Sequence, residues 1–209
     1  MVRKGLLSRL KATVLTGCFV LVLTACQSGG VGATPGIDAA SLIVGLDEVQ
    51  RVTDRDDLAA LPVMDAPRSF HENLRTPDQC RPVFGLEEAF GHNWSQFRSA
   101  TYTAAGGEIS AISTVAQAIG VYPDDGTARA EFDRLASSFE DCAALQTKLY
   151  NFRINKLDPS TVALVFPGNS QTVTYRVTAS VLIDVVVQGL PGSERIAETV
   201  SQMISERVT

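Results

Sequence analysis

Few side chains in this chain are suited to chemistry. There are two histidines, His71 and His92, and four cysteines, Cys18, Cys26, Cys80 and Cys142. His92 lies close to Glu87, Glu88 and Trp94, a grouping from which a metal or acid–base cluster could be drawn. The same residues read equally as loop and surface groups. Adjacent acids such as Glu87-Glu88, Asp124-Asp125 and Asp56-Asp57 usually start helices or cap turns rather than exchange protons. No GxSxG, P-loop, helix-opening GxGxxG or HExxH is present. The sequence predicts a non-enzymatic protein without metal or cofactor. An envelope hydrolase using Glu87, Glu88 and His92 is the alternative.

The cysteines divide by position. Residues 1–25 contain Arg3, Lys4, Arg9 and Lys11 and no acid, and the stretch Ala12–Ala25 is uncharged. Its 14 residues fall short of the roughly 20 that a spanning helix needs, so it reads as the apolar region of a signal peptide. The stretch ends in Leu23-Thr24-Ala25-Cys26, which resembles the bacterial lipobox, where a small residue precedes the cysteine that is lipidated and becomes the mature N-terminus. Cys26 is the expected anchor, since several acyl chains on one residue hold a membrane where one does not. Residues 26–40, rich in Gly, Ser, Ala and Pro after Cys26, are the expected flexible tether.

Cutting before Cys26 leaves Cys80 and Cys142 in the domain at 41–209. In an oxidising compartment a lone pair most often forms a disulfide, the alternatives being a metal pair or a catalytic thiol. Two cysteines without a CxxC are a weak zinc signal. A disulfide here closes a loop of about 60 residues, worth about 4 kcal/mol in the chain-entropy model. The cut also changes the charge. The whole chain has 23 acidic and 18 basic residues, a net of −5, whereas the remainder keeps 14 basic residues and a net of −9. That balance argues against a nucleic-acid partner.

The elements that must position these residues follow from periodicity. Asp47 can cap a brief helix through Thr53, and residues 54–79, with Pro62, Pro67 and Pro77, predict loops or edge strands. Leu86–Phe90 suggests one helical turn and Trp94–Thr103 a weak strand. Ala104-Ala105-Gly106-Gly107 reads as a turn, and Ile109–Tyr122 as a long strand stopped by Pro123-Asp124-Asp125-Gly126. From Thr127 the period becomes helical, with Phe132, Leu135, Phe139 and Cys142 on one stripe. Three strands then follow, Leu149–Leu157, Val162–Phe166 and Val173–Val187. In the last, Val173, Tyr175, Val177, Ala179, Val181, Ile183, Val185 and Val187 occupy one face, while the even positions are polar through 180, with Arg176 among them, and Asp184 rejoins that face. Such alternation predicts an antiparallel sheet with one face on the core and the other partly solvated. Ser193 is the expected N-cap of a final helix whose stripe is Ile196, Val200, Met203 and Ile204. The predicted fold class is α+β, an antiparallel sheet flanked by helices in a single domain. Trp94, Phe97, Tyr102 and Tyr122 are expected mainly in the core, with an apolar pocket as the alternative.

Several of these stretches carry a family resemblance. Pro77-Asp78-Gln79-Cys80 resembles the Pro-x-x-Cys segment of the extracellular sensor domain of PknH-type mycobacterial receptor kinases, a domain also found in lipid-anchored envelope proteins. Gln117-Ala118-Ile119-Gly120-Val121-Tyr122-Pro123 is similar to the family's Gln-x-Val-x-x-Phe-Pro strand end, and Phe139-Glu140-Asp141-Cys142 to its Trp-x-x-Cys helix end. Arg176 and Val181-Leu182-Ile183-Asp184-Val185 are similar to its Arg-Ala-Leu and Asn-Val-Val-x-Asp-Val strand. The resemblance covers about residues 41–208. It implies a helix-flanked antiparallel sheet with a ligand-binding cleft, and it implies pairing of Cys80 with Cys142. The family often has a second disulfide, with a cysteine where this chain has Thr174.

The expected protein is an exported lipoprotein held on the extracytoplasmic face of the cell membrane through Cys26. Its sensor-like domain binds a small-molecule or envelope ligand, or a membrane-protein partner, without catalysis. Arg176, Asp184, Gln117 and Tyr122 are the expected ligand-binding set. A lipid carrier with a large apolar cavity is a further alternative.

Overall fold

Asp124 starts the longest helix among the described residues: its carboxylate accepts the Thr127 N–H at 2.7 Å, satisfying one of the donors that a helix N-terminus leaves free. That hydrogen bond also holds the Asp124 carboxyl below its usual range. The computed structural model describes residues 36–68, 76–105, 112–169 and 171–208. The helices are α1 (Ala39–Leu42), α2 (Leu46–Thr53), α3 (Arg81–Phe84), α4 (Leu86–Phe90), α5 (Asp125–Ala143) and α6 (Ser193–Val208). The strands are β1 (Ala59–Ala60), β2 (Gln96–Ala105), β3 (Ile112–Val121), β4 (Arg153–Asp158), β5 (Thr161–Val165), β6 (Gln171–Thr178) and β7 (Val181–Gln188). They form one sheet of seven strands in the order β1-β2-β3-β7-β6-β5-β4. Every neighbouring pair is antiparallel.

Both faces of the sheet are covered, where alternation predicted one partly solvated face. α6 buries Ile196, Ala197, Val200 and Ile204 against Ile183, Val185 and Val187, and α1 and α2 add Leu42 and Val49. On the other face α5 buries Phe132, Leu135, Phe139 and Cys142, the stripe expected from its period, against Val173, Tyr175 and Leu182. From Gly36 onward the chain forms one compact unit, with both core clusters inside it.

The largest correction concerns Val173–Val187. It is a hairpin, β6 and β7, turning at Ala179-Ser180 with Thr178 opposite Val181. In this register Tyr175 pairs with Asp184 and Arg176 with Ile183. Odd residues of β6 therefore share a face with even residues of β7. The odd–even alternation passes through the turn unbroken while the faces exchange. Ala179 takes the turn in a left-handed conformation, φ +48°, which costs a side chain with a Cβ more than glycine. Ala179→Gly is expected to raise stability by about 0.5–1 kcal/mol, read as a higher urea midpoint.

Smaller differences have local causes. Gly45 caps α2 in place of Asp47, because Glu48 folds back to accept the Gly45 N–H at 3.1 Å. Ser193 is the first residue of α6, and its hydroxyl pairs with that of Thr172 at 2.8 Å instead of capping. Ala39 and Ala40, placed in the tether, lie in α1 behind an Asp38 cap. Ala104 and Ala105, read as a turn, continue β2, and Lys148–Tyr150 forms a short 3-10 turn before β4. Residues 1–35, with Cys18 and Cys26, lie outside the described residues, as do His71, Ile109 and Gly106-Gly107.

Candidate functional site

Reading across the sheet by register, Ser99 on β2 lies opposite Ala118 on β3, Ala118 opposite Asp184 on β7, and Asp184 opposite Tyr175 on β6. All four side chains belong to the α5 face. α5 covers one end of that face, and α3 and α4 lie across another part. Between the α3–α4 segment and the sheet a cleft of about 390 Å³ opens, a size suited to a small ligand. Its floor includes Ser99, Ala116, Ala118, Asp184 and Val186, and the α3–α4 turn, Val83 to Leu86, forms a wall. The floor is accessible because alanine at 116 and 118 leaves the middle of the sheet low.

Asp184 is the unusual group on that floor. It is 3% exposed, and its Oδ1 has no hydrogen-bond partner. Burial raises its carboxyl to about 8, because a carboxylate loses its hydration there without gaining a counter-charge. Ser99 is likewise buried with its hydroxyl unpaired. Tyr175 borders the same space with its own bonds made. Its hydroxyl donates to Pro82 O at 3.3 Å, its ring packs on Phe139 at 5.1 Å, and burial raises its hydroxyl well above the usual tyrosine range. Buried polar atoms without partners are uncommon and call for a reason.

The structure divides the expected ligand-binding set. Asp184 is on the floor of the cleft. Arg176 is on the opposite face, where its Nη1 donates to Gln202 Oε1 of α6 at 2.7 Å, so the two cannot face one ligand. Gln117 borders the cleft, but its amide serves the other face: Oε1 accepts the Val44 N–H at 2.9 Å and Nε2 donates to Val44 O at 2.7 Å. Tyr122 is buried, donates its hydroxyl to Phe90 O at 2.7 Å, and is raised above its usual range by burial. Gln117→Leu is expected to cost about 1–3 kcal/mol, because it strands the Val44 amide, and urea denaturation would measure it.

Other sequence candidates lie elsewhere. Glu87, Glu88 and His92 do not line the cleft, and Glu87 and His92 are exposed. Trp94 donates to Gly91 O at 3.1 Å, and Phe97 meets Phe90 edge-on at 5.2 Å. With Tyr102 and Tyr122, these aromatics form core rather than cleft lining. Among the described residues no group of three or more His, Cys, Asp or Glu could hold a metal ion. Sequence reasoning missed Ser99, Ala116, Ala118 and the Val83–Leu86 turn. The small residues carry no pattern of their own, and only the pairing of β2, β3 and β7 brings them together.

The wall of the cleft is fixed by a covalent bond. Cys80, immediately before α3, is bonded to Cys142 in the last turn of α5, with a Cα–Cα distance of 4.9 Å. Both are fully buried. The model of the PknH-like extracellular domain family matches residues 34–207. The chain belongs to this family. The crystal structure of the extracellular domain of PknH from Mycobacterium tuberculosis superposes with a TM-score of 0.65 at 16% identity, over 83% of this chain and 97% of that one. At that identity the likeness shows the fold. No curated protein matches the chain in sequence. In this PknH-like domain the helix-flanked antiparallel sheet and the Cys80–Cys142 disulfide are both present as expected. Among the described residues no helix is long and apolar enough to cross a membrane.

Proposed function

We propose that this PknH-like domain is a lipid-anchored, extracytoplasmic binding module that captures a small ligand in the cleft between the sheet and the α3–α4 turn. The observation that carries the reading is the cleft floor. Two buried polar groups, Asp184 and Ser99, have atoms without protein partners there, amid apolar lining that includes Val83 and Val186. Protein interiors normally satisfy such atoms, and binding sites leave them for a ligand. Membership of an extracellular domain family and the Leu-Thr-Ala-Cys segment ending at Cys26 support placing the module outside the cell on an acyl anchor. In this role the domain senses or sequesters its ligand and performs no reaction on it.

The two halves of the proposal are tested separately. Cys26→Ala is expected to abolish acylation and move most of the protein from the membrane fraction to the soluble fraction; retention on the membrane would refute the anchor. Ala118→Leu raises the cleft floor. Native mass spectrometry of the domain purified from envelope extracts should show a bound small molecule in the parent and its loss in the variant. An equal bound mass in parent and variant, or none in the parent, would refute the capture site.

A further inference from the structure

We propose that the cleft is built for an amphipathic amine, with its ammonium group over Ala118 between Asp184 and Ser99 and its apolar part along the Val83–Leu86 wall. The inference rests on the cleft being the ligand site and adds the chemical class.

Three observations select a cation. First, the two unpartnered atoms, Asp184 Oδ1 and Ser99 Oγ, stand on either side of Ala118 in register. Strands are about 4.8 Å apart, so a group placed over the alanine lies between them. An ammonium offers three donors and no acceptor, which suits a carboxylate oxygen on one side and a hydroxyl oxygen on the other. Second, the lining contains no Lys, Arg or His. No cationic side chain there would receive a phosphate or carboxylate, and Asp184, once ionised, would repel one. Third, the chain from Cys26 onward carries 23 acidic against 14 basic residues, an overall field that draws cations inward. The remaining polar lining, with Thr101, Thr114, Gln171 and Gln188, is uncharged and suits the rest of a ligand that is apolar at one end only.

A pH dependence follows from what surrounds Asp184. β6 presents Tyr175, whose hydroxyl is raised well above its usual range. β3 presents Ala118, and the α3–α4 wall, Val83–Leu86, brings no ionisable side chain. α5 brings Phe139 against Tyr175, and its Arg134 acts through space on Tyr175. Burial alone shifts Asp184, which ionises near pH 8 in the empty cleft. An ammonium must meet the ionised form. Its apparent affinity therefore rises about tenfold per pH unit up to about pH 8 and then levels. A neutral ligand accepting from the protonated acid would show the opposite trend.

The test uses n-octylamine, 1-octanol and octanoate, which share a chain and differ in charge. Each is titrated into the isotopically labelled domain from Gly36 onward, with the amide signals of Ser99, Ala118 and Asp184 as the readout. Octylamine is expected to move these signals and to bind at least tenfold more tightly than octanol at pH 8, with octanoate inert. Asp184→Asn should remove that advantage and leave octanol unchanged. The pH profile of the unaltered domain checks the same point without a variant. Equal binding of amine and octanol, or amine binding that is flat below pH 8, would overturn the amine assignment and leave the cleft as a ligand site. If none of the three probes moves the cleft signals, the ligand-site reading fails, and the amine proposal with it.

Discussion

Asp184→Asn is expected to stabilise the domain at pH 8 by an amount on the order of 5 kcal/mol and to leave it nearly unchanged at pH 4. The folded protein holds the Asp184 carboxyl at about 8, against an ordinary value of 3.8. Between those values the folded state binds one more proton than the unfolded state. Stability therefore falls as pH rises, by about 1.4 kcal/mol per unit over about four units. The contribution is fully present below about pH 4 and is lost by about pH 8. Asparagine keeps the shape and cannot ionise, so the slope disappears. Glu48 and Asp124 are held below their usual range, Glu48 chiefly by its hydrogen bond to Arg207 and Asp124 by the Thr127 amide. They produce the opposite trend in the acid range and are common to both proteins. The measurement is the difference between the two urea-denaturation curves at pH 4, 6 and 8. Parallel curves would show that Asp184 is ionised or solvated in the folded state.

Replacing Cys80 and Cys142 together with alanine is expected to cost about 4 kcal/mol, or a fall in Tm of roughly 8–16 °C for a domain of this size. The bond spans 62 positions, so its loss releases a long loop in the unfolded chain. Both sulfurs are fully buried, so two small voids add to the loss. The effect on the cleft should be larger than on the sheet, because the bond joins α5 to the segment leading into α3, and α3 begins the cleft wall. Hydrogen exchange should quicken at Val83–Leu86 while the β3–β7 amides stay protected. A thermal midpoint unchanged by reduction would contradict this.

How much was legible before the structure depended on whether the period carried the information. The α5 stripe from Phe132 to Cys142 is a helical repeat against a single neighbour, and it was read correctly. The β6–β7 hairpin was not, because Ala179-Ser180 lacks the Gly, Asn or Pro that marks most turns. The length is the remaining signal, since a strand of fifteen residues (Val173–Val187) would be well beyond the usual 3–10. That one omission misplaced the site. It set Arg176 beside Asp184, whereas the register sets Tyr175 there. Gln117 carried a usable signal, a lone amide in an apolar strand, and it does have a purpose: it closes the Val44 backbone. The cleft floor had no signal, because alanine and serine are common on any strand and their significance here is the space above them.

α2 and α6 meet through Glu48 and Arg207, bonded at 2.6 Å, although they lie at opposite ends of the folded chain. Arg207 also donates to the carbonyl of Ile43. The central pairing, β3 with β7, likewise joins segments far apart in sequence. A chain passing through an export channel from its N-terminus outward would release α1, α2, β2 and β3 long before their partners. The early segments would wait without a core until β7 and α6 emerged. Folding of this domain should then be a late, all-at-once event with the slow rates of non-local sheets, from milliseconds to seconds. Until then the exposed chain would depend on chaperones or on speed of export.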